Sequence, residues 1–195
     1  MNRKLGTVIA VVEIAAVAFL LLLFRHGGLP SKTSVILVFL LPITFGLHVF
    51  EEFFFPGGAE AWFKATCPQY AQAYTPSYFF KVNAIPLVLS VLVSLGAFNY
   101  EGTYSFAGIG AWLAFMFILF FNGVFHIRAT IRMKKYSPGF ISSIIFYIPL
   151  AITSLTYFLL TNAISIFTAI ISVAVGTLLQ PALDYIKKQR VKKGE

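Results

Sequence analysis

The sequence predicts an all-α protein: a polytopic membrane helix bundle of about six transmembrane helices, with both termini on the cytoplasmic side. Of the 195 residues, 58% are apolar and only 11% are charged, whereas a soluble domain carries roughly 25% charged residues. Mean hydropathy is +0.84. This composition excludes a cytosolic enzyme, a nucleic-acid-binding domain and a disordered regulator, because none of these classes is so apolar.

Six apolar stretches are long enough to cross the hydrocarbon core of a bilayer, which needs about 20 helical residues. Their apolar residues run continuously and do not alternate, so helices are expected rather than barrel strands. The first stretch is too long for the apolar region of a signal peptide, so we expect it to be retained as a span. The predicted spans are Leu5–Phe24, Thr33–Phe55, Val82–Phe98, Tyr104–Ile127, Gly139–Leu160 and Asn162–Leu183.

Lysine and arginine residues set the predicted orientation, because they concentrate in cytoplasmic loops. With the N-terminus inside, only Arg25 and Lys32 of the 15 Lys and Arg residues fall on the outer side. The net charge of +8 therefore indicates topology and contact with lipid headgroups, not nucleic-acid binding. The single cysteine, Cys67, excludes an intramolecular disulfide framework. We expect residues 1–195 to form one integral membrane domain in the inner (plasma) membrane.

Two connecting segments and the C-terminal tail have distinctive compositions. Residues 56–80 mix aromatic residues with few charges, which favours a loop in the headgroup layer. If that loop is a lid, Gly57 and Gly58 would form its hinge. The same composition is equally compatible with an ordinary interfacial connector. Residues 184–195 form a basic cytoplasmic tail, and only residues 161–162 separate the last two predicted spans, which indicates a tight hairpin.

Ionisable residues inside the spans are the main pointer to function, because each costs about 2.5–3.5 kcal/mol at mid-span on insertion scales. His48, Glu51 and Glu52 stand at i, i+3 and i+4, so the histidine can share a helix face with both carboxylates. Asn122 and His126 have the i, i+4 spacing on the fourth span. Both histidines are predicted near the inner ends of spans that run in the same direction.

Two further polar residues are predicted at the same depth. Glu13 lies about two turns into the first span, and Asn83 begins the third span, in both cases on the inner side. All these groups are therefore expected in the cytoplasmic half of the membrane. We infer that side chains from at least two helices meet there in one pocket.

Two short motifs carry a resemblance to a known family. Residues 48–52 read HVFEE, an HxxEE motif, and residues 136–139 read YSPG, a YxPG motif, with His126 between them. In this order and spacing the chain resembles the HXXEE family of bacterial proteins, from the second predicted span to the start of the fifth. The resemblance implies a membrane-embedded protein and singles out these residues, but it implies no particular reaction.

The residue types in this set are typical of a divalent-metal site. Two neutral imidazoles and one carboxylate are suitable zinc ligands, and three protein ligands leave a position open for water. A second glutamate would act as general base, or would bridge if two metals bind. The catalytic candidates are therefore Glu51 and Glu52. The candidate ligands of a divalent metal, most simply zinc, are His48, Glu51, Glu52, His126 and Glu13.

Three more residues are predicted to line the pocket: Asn122, Asn83 and Tyr136. For Asn122, a hydrogen bond between helices is the alternative. The YxPG segment favours a type II turn, because Pro138 fixes φ at the first corner and Gly139 permits a positive φ at the second. A purely structural turn is the simplest interpretation of this segment, and Tyr136 capping the pocket is the alternative.

Four functions follow from the same residues. The leading hypothesis is a metal-dependent membrane enzyme, of hydrolase type, that acts on a lipid or another small amphiphile from the inner leaflet. The alternative is a transporter or small-molecule-binding membrane protein in which the same groups relay protons. Bis-histidine haem ligation is a third reading. The fourth is a purely structural cluster in which the glutamates pair with Arg128 or Arg132.

Overall fold

The computed structural model describes residues 6–7, 11, 14, 32–68, 71–72, 74–98 and 105–193 of the chain. Between residues 32 and 193 the described parts form six helices and no β-sheet, which confirms the predicted all-helical class for this part of the protein. The helices are α1 (Lys32–Phe53), α2 (Ala59–Thr66), α3 (Pro76–Gly96), α4 (Phe106–Met133), α5 (Phe140–Leu160) and α6 (Ile166–Lys193).

Four of these helices are long and apolar enough to cross a membrane: α1, α3, the segment Gly108–Met133 of α4, and α5. They correspond to four of the predicted spans. The predicted span Leu5–Phe24 lies outside the described residues, apart from isolated positions. In α6 the apolar segment is shorter, Ile166–Leu179. The total of six spans and the cytoplasmic placement of the termini remain predictions.

Helix α3 begins six residues before the predicted start of the third span, so the predicted loop 56–80 is partly helical. Thr75 caps the helix, because its side chain accepts a hydrogen bond from the backbone N–H of Tyr78 at 3.1 Å, and Pro76 occupies the first helical position. This combination is a strong helix start, which the aromatic composition of the segment concealed. The rest of the segment contains α2. The ring of its Trp62 packs edge-to-face against the ring of Phe125 on α4, with centroids 6.2 Å apart.

Pro42 lies inside α1 and leaves a carbonyl without its helical partner. That carbonyl belongs to Val38, four residues earlier, and it accepts hydrogen bonds from Ser94 Oγ of α3 at 3.0 Å and Trp112 Nε1 of α4 at 3.1 Å. The proline site of α1 is therefore joined to both neighbouring helices by polar contacts. These contacts join α1, α3 and α4.

Helix α4 is the centre of the bundle and packs against α3, α5 and α6. Its contact with α6 is close because Gly176 has no side chain: a Cβ there would lie 2.5 Å from the carbonyl oxygen of Ala114. Helices α5 and α6 are joined by residues 161–165, a longer connection than the predicted two residues, with Asn162 at a positive φ of 54°. The C-terminal ends of α1 and α4 and the start of α5 meet at one end of the bundle.

Candidate metal centre

The carboxylate of Glu52 lies between two imidazoles at the end of the bundle where α1 and α4 terminate. Glu52 Oε1 is 3.6 Å from His48 Nε2 and 3.4 Å from His126 Nε2. His48 and Glu52 are one helical turn apart on α1, whereas His126 comes from α4. All three side chains are buried, with exposed fractions of 1%, 6% and 1% for His48, Glu52 and His126. Two helices therefore bring three ligand-type groups into one buried pocket.

The other ring nitrogen of each histidine contacts a serine hydroxyl. His48 Nδ1 is 2.7 Å from Ser142 Oγ, and His126 Nδ1 is 3.0 Å from Ser137 Oγ. The Ser142 hydroxyl also lies 3.2 Å from the carbonyl of Gly139, to which it can donate. When the serine donates to Gly139 it accepts from His48 Nδ1–H, and this tautomer leaves a lone pair at Nε2 for the side-chain nitrogen of Asn122, which can only donate. Contacts of this kind orient metal-binding histidines in proteins.

Asn122 also contacts the group. Its side-chain nitrogen lies 3.2 Å from His48 Nε2, so the amide donates to the lone pair that the serine leaves bare. This position agrees with the prediction that Asn122 lines the pocket and also with its alternative, a hydrogen bond between helices. A metal ion on His48 Nε2 would have to displace this hydrogen bond.

Glu51 occupies a different position from its neighbour. One of its oxygens accepts hydrogen bonds from the backbone N–H groups of Gly139 (3.1 Å) and Ile141 (2.9 Å) and from the Tyr136 hydroxyl. The other oxygen accepts from the N–H of Ser142 at 2.6 Å. Four donors therefore surround this carboxylate at the positive N-terminal end of α5. Glu51 does not belong to the group of three that converges around Glu52.

Tyr136 lies outside the spanning helices, between α4 and α5, and is 37% exposed. Burial, followed by the hydrogen bond to Glu51, raises the pKa of its phenol well above the ordinary value. The hydroxyl is therefore a neutral donor to the carboxylate. Tyr136 reaches the pocket region as predicted, through its contact with Glu51.

The YxPG segment forms the predicted type II turn. The N–H of Phe140 donates to the carbonyl of Ser137 at 3.0 Å, and Gly139, at the second corner, has φ 96° and ψ −4°. The glycine has a second role that the turn alone does not require. A Cβ on Gly139 would lie 2.6 Å from His48 Cε1 and 3.0 Å from His126 Cε1. The turn therefore packs its bare backbone against both imidazoles.

One predicted site residue does not join the group, and another lies outside the described residues. Asn83 is buried, but its amide donates to the carbonyl of Phe79 on its own helix at 2.9 Å, and none of its described contacts reaches the imidazoles. Glu13 lies outside the described residues. The alternative in which the glutamates pair with Arg128 or Arg132 is not observed among the described residues. Both arginines are exposed, and the ion pairs of Glu52 are with the two histidines.

Three residues that the sequence did not single out as site residues take part: Ser137, Ser142 and Tyr147. Ser137 lies inside the YxPG motif, so the motif itself was a usable signal. Ser142 follows the glycine by three residues, and the Tyr147 ring packs against the His48 ring with centroids 4.6 Å apart. Nothing in the apolar pattern of α5 distinguishes these residues from others on the same helix.

The three converging groups could hold a metal ion, because the ligand atoms of His48, Glu52 and His126 all lie within 4.8 Å of one another. A porphyrin would have to occupy the place of the Glu52 carboxylate, so the arrangement does not favour bis-histidine haem ligation. An unprotonated carboxylate beside a bare imidazole nitrogen brings two electron-rich atoms together. A cation, either a proton or a metal ion, is needed to stabilise them.

Comparison with known proteins gives a family but no activity. No curated protein and no solved structure matches the chain significantly. A family model described as "Protein of unknown function with HXXEE motif" matches residues 39–154, which is more than half of the chain and contains all the residues of the pocket described above. This protein therefore belongs to the HXXEE family, as the two sequence motifs indicated.

Proposed function

We propose that this protein is a membrane-embedded, metal-dependent enzyme of hydrolase type, in which His48, Glu52 and His126 hold one divalent ion, most simply zinc. The observation that carries the proposal is the spacing around Glu52 Oε1. Its separations from the imidazole nitrogens, 3.4 and 3.6 Å, are long for charge-assisted hydrogen bonds of about 2.7–2.9 Å. They are close to the distance of about 3.3 Å between ligands on a tetrahedral zinc ion with bonds of about 2.0–2.1 Å.

The donor set supports zinc and also determines the chemistry. Two imidazoles and one carboxylate are a common ligand set of catalytic zinc sites, which keep the fourth position for water. Zinc lowers the pKa of that water to about 7 and so supplies hydroxide at neutral pH. The hydroxide would attack the carbonyl carbon of an ester or amide, or the phosphorus of a phosphodiester, and the bond to the leaving group would break as that group takes a proton.

The two adjacent glutamates then have separate duties. Glu52 is the ligand, whereas Glu51 binds the N-terminus of α5 and so positions the turn that packs against both imidazoles. Because four hydrogen-bond donors already bind Glu51, we assign it to positioning and not to general-base catalysis. Deprotonation of the water therefore rests on the metal.

An amphiphile is the substrate class that fits this location. The pocket is enclosed by helices of membrane-spanning length, whose outer faces carry many exposed apolar side chains. At the same end of the bundle, four exposed basic residues, Arg128, Arg132, Lys134 and Lys135, can attract anionic headgroups. By the distribution of positive charge, this end faces the cytoplasm, so the substrate would enter from the inner leaflet.

The metal content of the purified protein tests the site. In detergent, the wild-type chain should retain about one zinc ion per molecule, and His48→Ala or His126→Ala should lose it. The matched control is His26→Ala, which removes the remaining histidine of the chain and should retain the metal. Absence of zinc from the wild type, or equal zinc in all four proteins, would refute the proposed site.

The hydrolase activity needs a separate assay. Zinc-loaded and chelator-treated proteins should be compared on long-chain ester, amide and phosphodiester amphiphiles in mixed micelles. At least one bond type should be cleaved in a zinc-dependent manner that Glu52→Ala abolishes. If the protein binds zinc stoichiometrically but cleaves none of the three, the site stands and the hydrolase assignment is wrong.

A further inference from the structure

Tyr147 has a buried hydroxyl without a protein partner. The side chain is fully buried, and its hydroxyl oxygen is one of three buried side-chain polar atoms in the described structure that form no hydrogen bond. Leaving such a group unpaired costs about 1–3 kcal/mol. Buried polar groups of native proteins nearly always have a partner, including water or a ligand. Some other molecule is therefore expected to accept a hydrogen bond from Tyr147.

The location of this tyrosine indicates which molecule that is. Its ring packs against the imidazole of His48, with centroids 4.6 Å apart and planes at 33°. The unpartnered donor therefore belongs to the same pocket as the proposed metal ligands.

The backbone of α5 is specialised at this point. Residues Ser143–Tyr147 form a π-helical turn, a rare conformation that occurs mostly at functional sites. Helix α4 makes room for the turn with Gly123: a Cβ there would lie 3.2 Å from Ser143 Cβ and 3.4 Å from Tyr147 Cβ. A wider turn on one helix and a glycine on the other together seat Tyr147 beside His48.

We propose that the Tyr147 hydroxyl donates a hydrogen bond to the oxygen atom at the open position of the metal. That atom is the bound water or hydroxide in the resting protein, and an anionic oxygen of the ligand when one binds. Tyr147 thereby makes the pocket selective for oxygen anions and stabilises the negative charge that develops on oxygen during hydrolysis. This inference rests on the proposed metal site.

Cobalt-substituted protein allows the inference to be tested with acetate as the probe. The visible absorption bands of Co²⁺ report its coordination, so acetate binding can be titrated spectroscopically in the full-length protein in detergent. Tyr147→Phe should bind cobalt like the wild type but should bind acetate about 10- to 100-fold more weakly, as expected for loss of a hydrogen bond to a charged group. The phenylalanine ring preserves the packing against His48.

Ser154→Ala is the matched control, because Ser154 carries another buried, unpartnered hydroxyl on the same helix. It should leave acetate affinity unchanged. Equal acetate affinity in the wild type and Tyr147→Phe would overturn the role of Tyr147 while the metal site stands. Absence of cobalt bands in the wild type would overturn the metal site and this inference together. A lower Tm of Tyr147→Phe with unchanged acetate affinity would assign the hydroxyl to folding and also overturn it.

Discussion

Replacing Gly139 by alanine tests whether the YxPG turn packs against the two histidines. The added Cβ would lie 2.6 Å from His48 Cε1 and within 3.1 Å of two atoms of His126. Overpacking of this kind costs about 1–3 kcal/mol. The positive φ of 96° adds about 1–2 kcal/mol for any residue with a Cβ. We expect a total destabilisation of about 2–5 kcal/mol.

Gly58→Ala separates the two contributions. Gly58 has nearly the same backbone conformation, φ 90° and ψ 6°, and likewise precedes a helix, but no atom lies within 4 Å of the position its Cβ would take. The control therefore carries only the backbone contribution of about 1–2 kcal/mol. The difference between the two variants measures the contact of Gly139 with the imidazoles.

Thermal unfolding in detergent, followed by circular dichroism, is the assay. A domain of this size loses about 2–4 °C of Tm for each kcal/mol, so Gly139→Ala should unfold several degrees below Gly58→Ala. Gly139→Ala should also bind zinc more weakly, because the imidazoles must move. Equal Tm values for the two variants would refute the close packing of the turn against the histidines.

Three further predictions use matched pairs or a single isosteric change. Glu51→Gln should reduce the free energy of unfolding by about 2–4 kcal/mol and so lower the Tm markedly, because an amide cannot accept hydrogen bonds from four donors at a helix N-terminus. The control Glu60→Gln removes a carboxylate from an exposed ion pair and should change the Tm little. Trp112→Phe should reduce the free energy of unfolding by about 1 kcal/mol more than Trp62→Phe does, as measured by thermal unfolding. The reason is that the Trp112 indole donates a hydrogen bond to the carbonyl of Val38, whereas the Trp62 indole has no such partner. Asn122→Leu should tighten zinc binding by about 2- to 10-fold in a competition titration, since it removes the amide that competes for the histidine nitrogen; weaker binding would instead make the amide part of the metal site.

The sequence predicts the pocket better than its internal arrangement. The helical class, four of the spans, the type II turn and the meeting of His48 with His126 all follow from apolar run length, loop chemistry and helical spacing. The first three features depend on local sequence alone. The meeting of the two histidines was inferred from their shared depth on helices of common direction, and it also required that the two helix faces meet, as they do in the structure.

The roles of the two glutamates depend on such knowledge. Glu51 and Glu52 are separated by about 100° around α1, so only one of them can face His126. The other faces the start of α5, whose position no spacing rule supplies. Both residues were therefore candidate ligands from the sequence, and the structure separates one from the other.

Tyr147 was hidden for a related reason. A π-helical turn contains one more residue than an α-helical turn, so it rotates the following residues by about 100° relative to the regular 3.6-residue pattern. A face assignment that assumes a regular α5 is therefore wrong beyond Ser143. Because tyrosine is also common at membrane interfaces, its residue type gave no separate signal.

X-ray absorption at the zinc edge of the zinc-loaded protein tests the central claim most directly. For the wild type we expect a first shell of nitrogen and oxygen atoms at about 2.0–2.2 Å and the outer-shell scattering of two imidazoles. Any metal that the His126→Ala variant retains should show the scattering of one imidazole. A sulfur ligand at about 2.3 Å, which only Cys67 or a methionine could supply, or a shell without imidazole scattering would contradict the claim that His48, Glu52 and His126 hold the metal.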